Sequence, residues 1–131
     1  MKRQFTVLFL LIVASAIILS ACGGGAAAPT ATPTGPVGDP AAGKVSYDTT
    51  CIACHGADLK GMTGLGKDLT TSEFVKSKSD ADLVAFVLVG RPASDPANTQ
   101  GVDMPPKGGN PALTEEDILN IVAYVRSLQV P

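Results

Sequence analysis

The alternation of apolar and polar positions divides the chain into three parts. Residues 5–19 form an almost uninterrupted apolar run, and residues 23–38 are rich in Gly, Ala, Pro and Thr without any helical or strand period. From residue 39 onward, apolar positions recur at the spacing of amphipathic helices. A segment without large apolar side chains cannot build a core. We therefore predict a leader over residues 1–21, a flexible segment over residues 22–38 and one small domain over residues 39–131.

The domain is predicted to open with a helix. Asp39 is a good N-cap, Pro40 suits the first helical position, and the pattern continues to about residue 53, with Gly56 ending the segment. A glycine-rich loop follows, in which Leu65 and Leu69 are the apolar points.

Two further helices and one short turn are predicted downstream, and no strand. Thr71 or Ser72 caps a turn over residues 73–76, and Ser79 opens a helix over residues 80–89 so apolar that we expect it to be largely buried. Thr114 begins the last helix with a capping-box spacing. Its apolar stripe consists of Ile118, Ile121, Val122, Val125 and Leu128. The predicted fold class is all-α.

The chemistry centres on Cys51, Cys54 and His55, which form the sequence C-x-x-C-H. At this spacing two thiols can add to the vinyl groups of one haem, and the adjacent histidine can ligate its iron. His55 is the single histidine of the chain. We therefore predict one covalent haem c, with His55 as the proximal iron ligand.

Three other uses of these residues are less consistent with the sequence. A thioredoxin-like dithiol needs a βαβ context, which the pattern lacks. A structural zinc site needs four Cys or His ligands. A disulfide between Cys51 and Cys54 would leave His55 unexplained.

The leader carries the features of an export signal. Lys2 and Arg3 precede an apolar run shorter than the ~20 residues of a membrane-spanning helix, and small residues follow it. The tetrapeptide ending at Cys22, Leu-Ser-Ala-Cys, resembles the lipobox of bacterial lipoproteins, in which the cysteine is lipidated and the signal is cut before it. The resemblance implies an exported protein held to the membrane by lipid on the extracytoplasmic (periplasmic) side. An uncleaved apolar anchor and an ordinary cleaved signal are the alternatives.

A histidine-ligated haem has either an open iron site or a second axial ligand. Met104 is the candidate, because nearly fifty residues separate it from His55 and two prolines after it stiffen the backbone. Met62 lies only seven residues after His55 and would have to wrap to the opposite face. An open site, or one bound by lysine or water, is the remaining alternative.

Together, the C-x-x-C-H motif, Met104-Pro-Pro and the last helix resemble class I monohaem cytochromes c over residues 39–128. The resemblance implies a fold in which the first and last helices cross, with Gly43, Tyr47 and Tyr124 at the contact. It also implies a backbone carbonyl accepting a hydrogen bond from His55, in a loop where Lys67 replaces the usual proline. The leader and the Met104 region further resemble the monohaem subunits of the alternative quinol:acceptor oxidoreductase complex of filamentous phototrophs.

The leading functional prediction is an electron carrier rather than an enzyme, since no nucleophile or acid/base pair accompanies the motif. The expected partners are redox proteins or a membrane redox complex, approached by way of Lys60, Lys67 and Lys107 if charge guides docking. The formal net charge of −2 predicts no nucleic-acid partner, and no small-molecule substrate is expected. The alternatives are a fixed haem subunit of a quinol-oxidising complex and an open-site haem enzyme or gas sensor.

Overall fold

A computed structural model describes residues 37–130, and their regular structure is helical. The order is α1 (Pro40–Thr50), α2 (Ile52–His55), α3 (Glu73–Ser77), α4 (Asp80–Val89), a 3₁₀ turn (Pro106–Gly109) and α5 (Glu115–Ser127). Two isolated antiparallel bridges, Met62 with Gly66 and Arg91 with Met104, are the β-type pairings of this part of the chain. The predicted all-α class is therefore confirmed. The predicted leader, and all but the last two residues of the linker, lie outside the described residues.

The helices begin at the predicted caps. The Asp39 carboxylate accepts a hydrogen bond of 2.8 Å from the Ala41 N–H, and Ser72, not Thr71, caps α3. Ser79 and Thr114 each form a reciprocal capping box with the aspartate three residues later. These side chains satisfy backbone donors that the first helical turn leaves unpaired.

The first helix is shorter than predicted, because α1 ends at Thr50 and α2 begins after Cys51. The Cys54 N–H bonds to the Cys51 carbonyl three residues back, so the chain tightens at the motif. Gly56 ends α2 as predicted, with a φ of 74° that a residue with a Cβ rarely adopts.

The core lies where α1 and α5 cross. A Cβ on Gly43 would overlap the carbonyl of Asn120, so only glycine lets the two backbones approach this closely. The rings of Tyr47 and Tyr124 meet edge to face beside this crossing, 5.5 Å apart. The predicted contact of Gly43, Tyr47 and Tyr124 is therefore confirmed.

The prediction that α4 is largely buried is wrong. Leu83 and Val84 are buried, whereas Val89 is 73% exposed. The reason is that α4 packs on α5 and on the 3₁₀ turn, while Phe86 and Val87 face a cavity. Ala81, Ala85 and Val89 lie on the remaining side and are exposed.

Arg126 of α5 holds the α3–α4 junction in place. Its guanidinium donates to the carbonyls of Val75 and Lys78 and pairs with the Asp80 carboxylate at 2.9 Å. Within residues 37–130, no helix has the length and apolar character needed to cross a membrane.

Candidate functional site

One cavity brings together the four side chains that the sequence singled out. Cys51, Cys54, His55 and Met104 all line it. Its walls are mainly apolar and come from the glycine-rich loop, α3, α4 and α5: Leu65, Leu69, Phe74, Val75, Leu83, Phe86, Val87, Ile121, Val122 and Val125. Residues 97–100 and 102–103 close one side. Leu65 and Leu69, the apolar points of the glycine-rich loop, thus both contribute to the wall of the site.

The two cysteines are half-buried thiols, not a disulfide. Burial, followed by the neighbouring Cys54, raises the pKa of the Cys51 thiol to about 11. This thiol is therefore protonated at neutral pH in the folded chain. Its apolar surroundings suit an uncharged thioether better than a thiolate.

The His55 ring is oriented by a backbone carbonyl. Its Nδ1 lies 2.8 Å from the carbonyl oxygen of Lys67. Because a carbonyl can only accept, the proton of the neutral ring belongs on Nδ1, which leaves the lone pair on Nε2 for a metal. A backbone carbonyl therefore accepts this hydrogen bond although Lys67 stands where proline is usual, as the family resemblance predicted.

Two neighbours of Lys67 place that carbonyl. A Cβ on Gly66 would overlap the carbonyl of Cys54, so the loop can cross the haem-motif backbone only with glycine there. On the other side, the Asp68 carboxylate accepts hydrogen bonds from the Thr70 hydroxyl at 2.6 Å and the Thr70 N–H at 2.7 Å. These contacts fix the turn through which Lys67 reaches His55.

Tyr47 supports the backbone at the end of the C-x-x-C-H motif. Its fully buried hydroxyl donates a 2.8 Å hydrogen bond to the carbonyl of Gly56, the residue that follows His55. Burial raises the pKa of this phenol well above its ordinary value, so the ring remains a neutral donor.

Met104 is held through its backbone. Its N–H and carbonyl exchange two 2.8 Å hydrogen bonds with Arg91, directly after α4. A Cβ on Gly90 would overlap the Met104 carbonyl, so this close approach also needs glycine. Met62, the alternative ligand, is 48% exposed and is not among the residues that line the cavity.

The three lysines considered for docking differ in their position and in their hydrogen bonds. Lys67 lines the cavity, and Lys60 is exposed in the glycine-rich loop. The Lys107 ammonium instead donates to the carbonyl of Leu113 at 2.8 Å, so it serves the local turn.

Sequence reasoning missed Arg91 and the loop that follows it. The Arg91 guanidinium lies 4.6 Å from the ring centre of Phe74 and 4.8 Å from that of Phe86, at the edge of the cavity. Its buried Nε makes no hydrogen bond, although the Asp95 carboxylate lies 3.4 Å away. The polar composition of residues 91–103 indicated a loop but not that it borders the site.

The donor set fits a haem. Two thiols, an imidazole with a free Nε2 and a thioether border one apolar cavity, and an unsatisfied guanidinium nitrogen at its edge suits an acidic substituent. An all-α domain with this cavity and a C-x-x-C-H motif is typical of proteins that bind haem c covalently. The chain belongs to the cytochrome c family, whose profile, described as Cytochrome c, matches residues 40–129. Membership of this family makes the chain an electron-transfer protein rather than an enzyme.

Several characterised cytochromes are similar to the chain. It is 33% identical over 87 residues to cytochrome c-555 of Chlorobaculum thiosulfatiphilum, covering 66% of this chain and 93% of that protein. It is 31% identical over 99 residues to cytochrome c-554(547) of Halothiobacillus neapolitanus, covering 70% and 99%. It is 31% identical over 88 residues to the CcoP subunit of the cbb3-type cytochrome c oxidase of Rhodobacter capsulatus, covering 66% of this chain but 28% of CcoP. No solved structure matches the chain.

Proposed function

We propose that this protein is a membrane-tethered monohaem cytochrome that carries single electrons between redox partners of a respiratory or photosynthetic chain. In this proposal Cys51 and Cys54 form the haem thioethers, and His55 and Met104 are the axial ligands. The observation that carries it is that His55 and Met104 line one apolar cavity, with the His55 ring set to present Nε2.

The bound haem supplies an iron that gains and loses one electron. The chain contributes the rest: the Lys67 carbonyl orients His55, a thioether favours a higher reduction potential than harder ligands would, and the apolar walls exclude water. Two protein ligands leave no coordination position for a substrate, which suits outer-sphere transfer.

A redox titration of the holoprotein tests this function. We expect a single one-electron transition, with a low-spin spectrum in both oxidation states. A high-spin ferrous form that binds carbon monoxide rapidly would indicate an open site and overturn the proposal.

We also propose that residues 1–21 are a cleaved signal, that Cys22 is lipidated, and that residues 22–38 tether the domain (residues 39–131) on the extracytoplasmic side. The support is the position of Leu-Ser-Ala-Cys at the end of the apolar run. Two or three acyl chains on one residue would anchor stably, whereas one is marginal. A linker of this length spans about 20–25 Å as a flexible coil.

Intact-mass measurement of membrane-extracted protein tests the tether. The wild type should begin at Cys22 and carry the mass of its lipids, and Ser20→Ala should do the same. Cys22→Ala should retain residues 1–21. Equal processing of wild type and Cys22→Ala would contradict lipidation.

A second candidate is a fixed haem subunit of a membrane redox complex, including a quinol-oxidising one. It is favoured by the similarity to CcoP, which is named as a subunit of an oxidase. Extraction in mild detergent separates the two: co-migration with a large complex supports the subunit, and a free monomer supports the carrier.

A further inference from the structure

The loop between α4 and the 3₁₀ turn is closed at its base. Arg91 and Met104 exchange two 2.8 Å backbone hydrogen bonds, so residues 92–103 leave and return at one point. At their other end, Ala97, Asn98, Thr99 and Gln100 border the cavity, and Asn98 and Gln100 are half-buried there. The loop therefore connects the backbone of the proposed ligand to the wall of the site.

Asn98 organises the interior of this loop. Its Nδ2 donates to the carbonyl of Pro92 at 3.1 Å and to that of Val102 at 2.8 Å, near the two ends. Its Oδ1 accepts from the N–H groups of Gln100 at 3.1 Å and Gly101 at 3.0 Å. An amide is suited to this task because it combines two donors with an acceptor.

Other contacts fasten the loop to the helices, and one of them also joins its two ends. The Arg91 guanidinium packs on Phe74 and Phe86, and its Nη1 lies 3.4 Å from the Ala97 carbonyl. The short bond from the Ala93 N–H to Asp103 ties the base. Asn98 is the loop side chain of the described chain that donates to a carbonyl of both the outgoing and the returning strand.

We infer that Asn98 is a positioning residue: by holding residues 92–103 closed against the cavity, it keeps the Met104 thioether at the iron. The inference rests on the proposed role of Met104. Within residues 37–130 no hydrogen bond reaches the Met104 side chain, so apart from the cavity walls its placement depends on its backbone and on the loop that carries it. Opening the loop is the motion that would withdraw the thioether.

This arrangement predicts a measurable competition. Added imidazole can bind ferric iron only when the thioether has left, so its apparent affinity is set by the population of the open loop. Removing hydrogen bonds that exist only in the closed loop raises that population.

The test is imidazole titration of the ferric holoprotein, followed by loss of the far-red band of methionine–iron ligation. For Asn98→Ala we expect apparent affinity to rise about tenfold, equivalent to about 1.4 kcal/mol. Asn98→Asp keeps the acceptor oxygen but loses both donated bonds, so it should behave similarly. Ser94→Ala, an exposed position in the same loop, should match the wild type.

The outcomes separate this inference from the proposed function. A wild type without the methionine–iron band would refute the role of Met104. A wild type with the band, and Asn98 variants within about twofold of it in imidazole affinity, would refute the role of Asn98 alone. If neither variant retains haem, amide exchange of the wild type decides: imidazole should speed exchange over residues 92–104, and unchanged exchange would contradict the inference.

Discussion

The two loops that flank the site hold their proposed iron ligands in different ways. On the histidine side, over residues 56–71, the ligand's own ring contacts the Lys67 carbonyl, and Gly66 packs that loop directly onto Cys54. On the methionine side, over residues 91–104, the hydrogen bonds of the described residues reach only the backbone of Met104. One ligand is oriented at its metal-binding group, and the other is carried into place by its loop.

This difference predicts which of the two proposed iron ligands is displaced more easily. The His55 ring directly follows the two cysteines proposed to form thioethers and is also fixed in tautomer, so its position does not require a distant loop. The Met104 side chain depends on a loop whose bonds are each worth only about 0.5–1.5 kcal/mol. We therefore expect perturbation of the methionine side to change ligation, and perturbation of the histidine side to change the stability of the whole domain.

The largest effect should follow Gly66→Ala. The added Cβ would overlap the Cys54 carbonyl, so the loop must shift and the Lys67 carbonyl must move from His55. We expect a loss of about 2–4 kcal/mol in the free energy of unfolding, measured by denaturant titration of the holoprotein.

Gly64→Ala provides the control for that substitution. Its Cβ would meet no atom within 4 Å, but its φ of 72° is unfavourable for alanine, at a cost of about 1–2 kcal/mol. The His55 Nδ1–H resonance should shift in Gly66→Ala and stay in place in Gly64→Ala. Equal shifts in both would contradict the close contact at Gly66.

A smaller effect is expected where the two sides of the site are joined. The Asn110 amide donates a 3.2 Å hydrogen bond to the Thr50 hydroxyl, next to Cys51. Thr50→Val should cost about 1 kcal/mol in unfolding free energy, since the amide loses its acceptor. Thr49→Val removes a hydroxyl bonded only within its own helix and should cost less. Identical losses would show that the link does not matter.

A pH-dependent effect is expected at Asp68. The Thr70 hydroxyl, and then the N–H groups of Thr70 and Thr71, hold the pKa of this carboxyl below its ordinary value of 3.8. Folding therefore favours the charged form, and the stabilisation is complete above the ordinary pKa and lost as pH falls through the folded pKa. The stability advantage of wild type over Asp68→Asn should be constant near neutrality and disappear in acid.

Asp82→Asn is the matched control for this pH dependence. The Ser79 hydroxyl likewise lowers the pKa of Asp82, but at the start of α4 rather than next to Lys67, whose carbonyl contacts His55. Both variants should change the acid side of the stability profile, whereas only Asp68→Asn should alter the His55 resonance. A shifted His55 resonance in Asp82→Asn would argue against a local role for Asp68.

The smallest effect is expected at Lys67, because the contact to His55 uses its backbone carbonyl. Lys67→Ala should leave the absorption spectrum unchanged and alter the unfolding free energy by no more than about 0.5 kcal/mol. A clear change in the haem spectrum would show that the side chain takes part.

Local signals in the sequence predicted much of this molecule. Asp39, Ser79 and Thr114 cap helices because capping depends on residues within one turn. The C-x-x-C-H spacing and a methionine before two prolines identified the side chains that line the cavity. The crossing at Gly43 was predicted through resemblance to a known family.

Features set by contacts distant in the chain could not be predicted. Leu59 is fully buried with a φ of 61°, although it sits in a polar, glycine-rich stretch whose expected apolar points were Leu65 and Leu69. The exposure of Val89 depends on which faces of α4 find neighbours. The hydrogen bonds of Asn98 require both ends of its loop to meet, and no local pattern encodes that meeting.

The most direct test of the account is the ferric absorption spectrum of the wild-type holoprotein beside that of Met104→Ala, with Met62→Ala as control. The account predicts a low-spin wild type with the far-red methionine–iron band, kept in Met62→Ala and absent in Met104→Ala while haem stays attached. A high-spin wild type, or a band that persists in Met104→Ala, would contradict it.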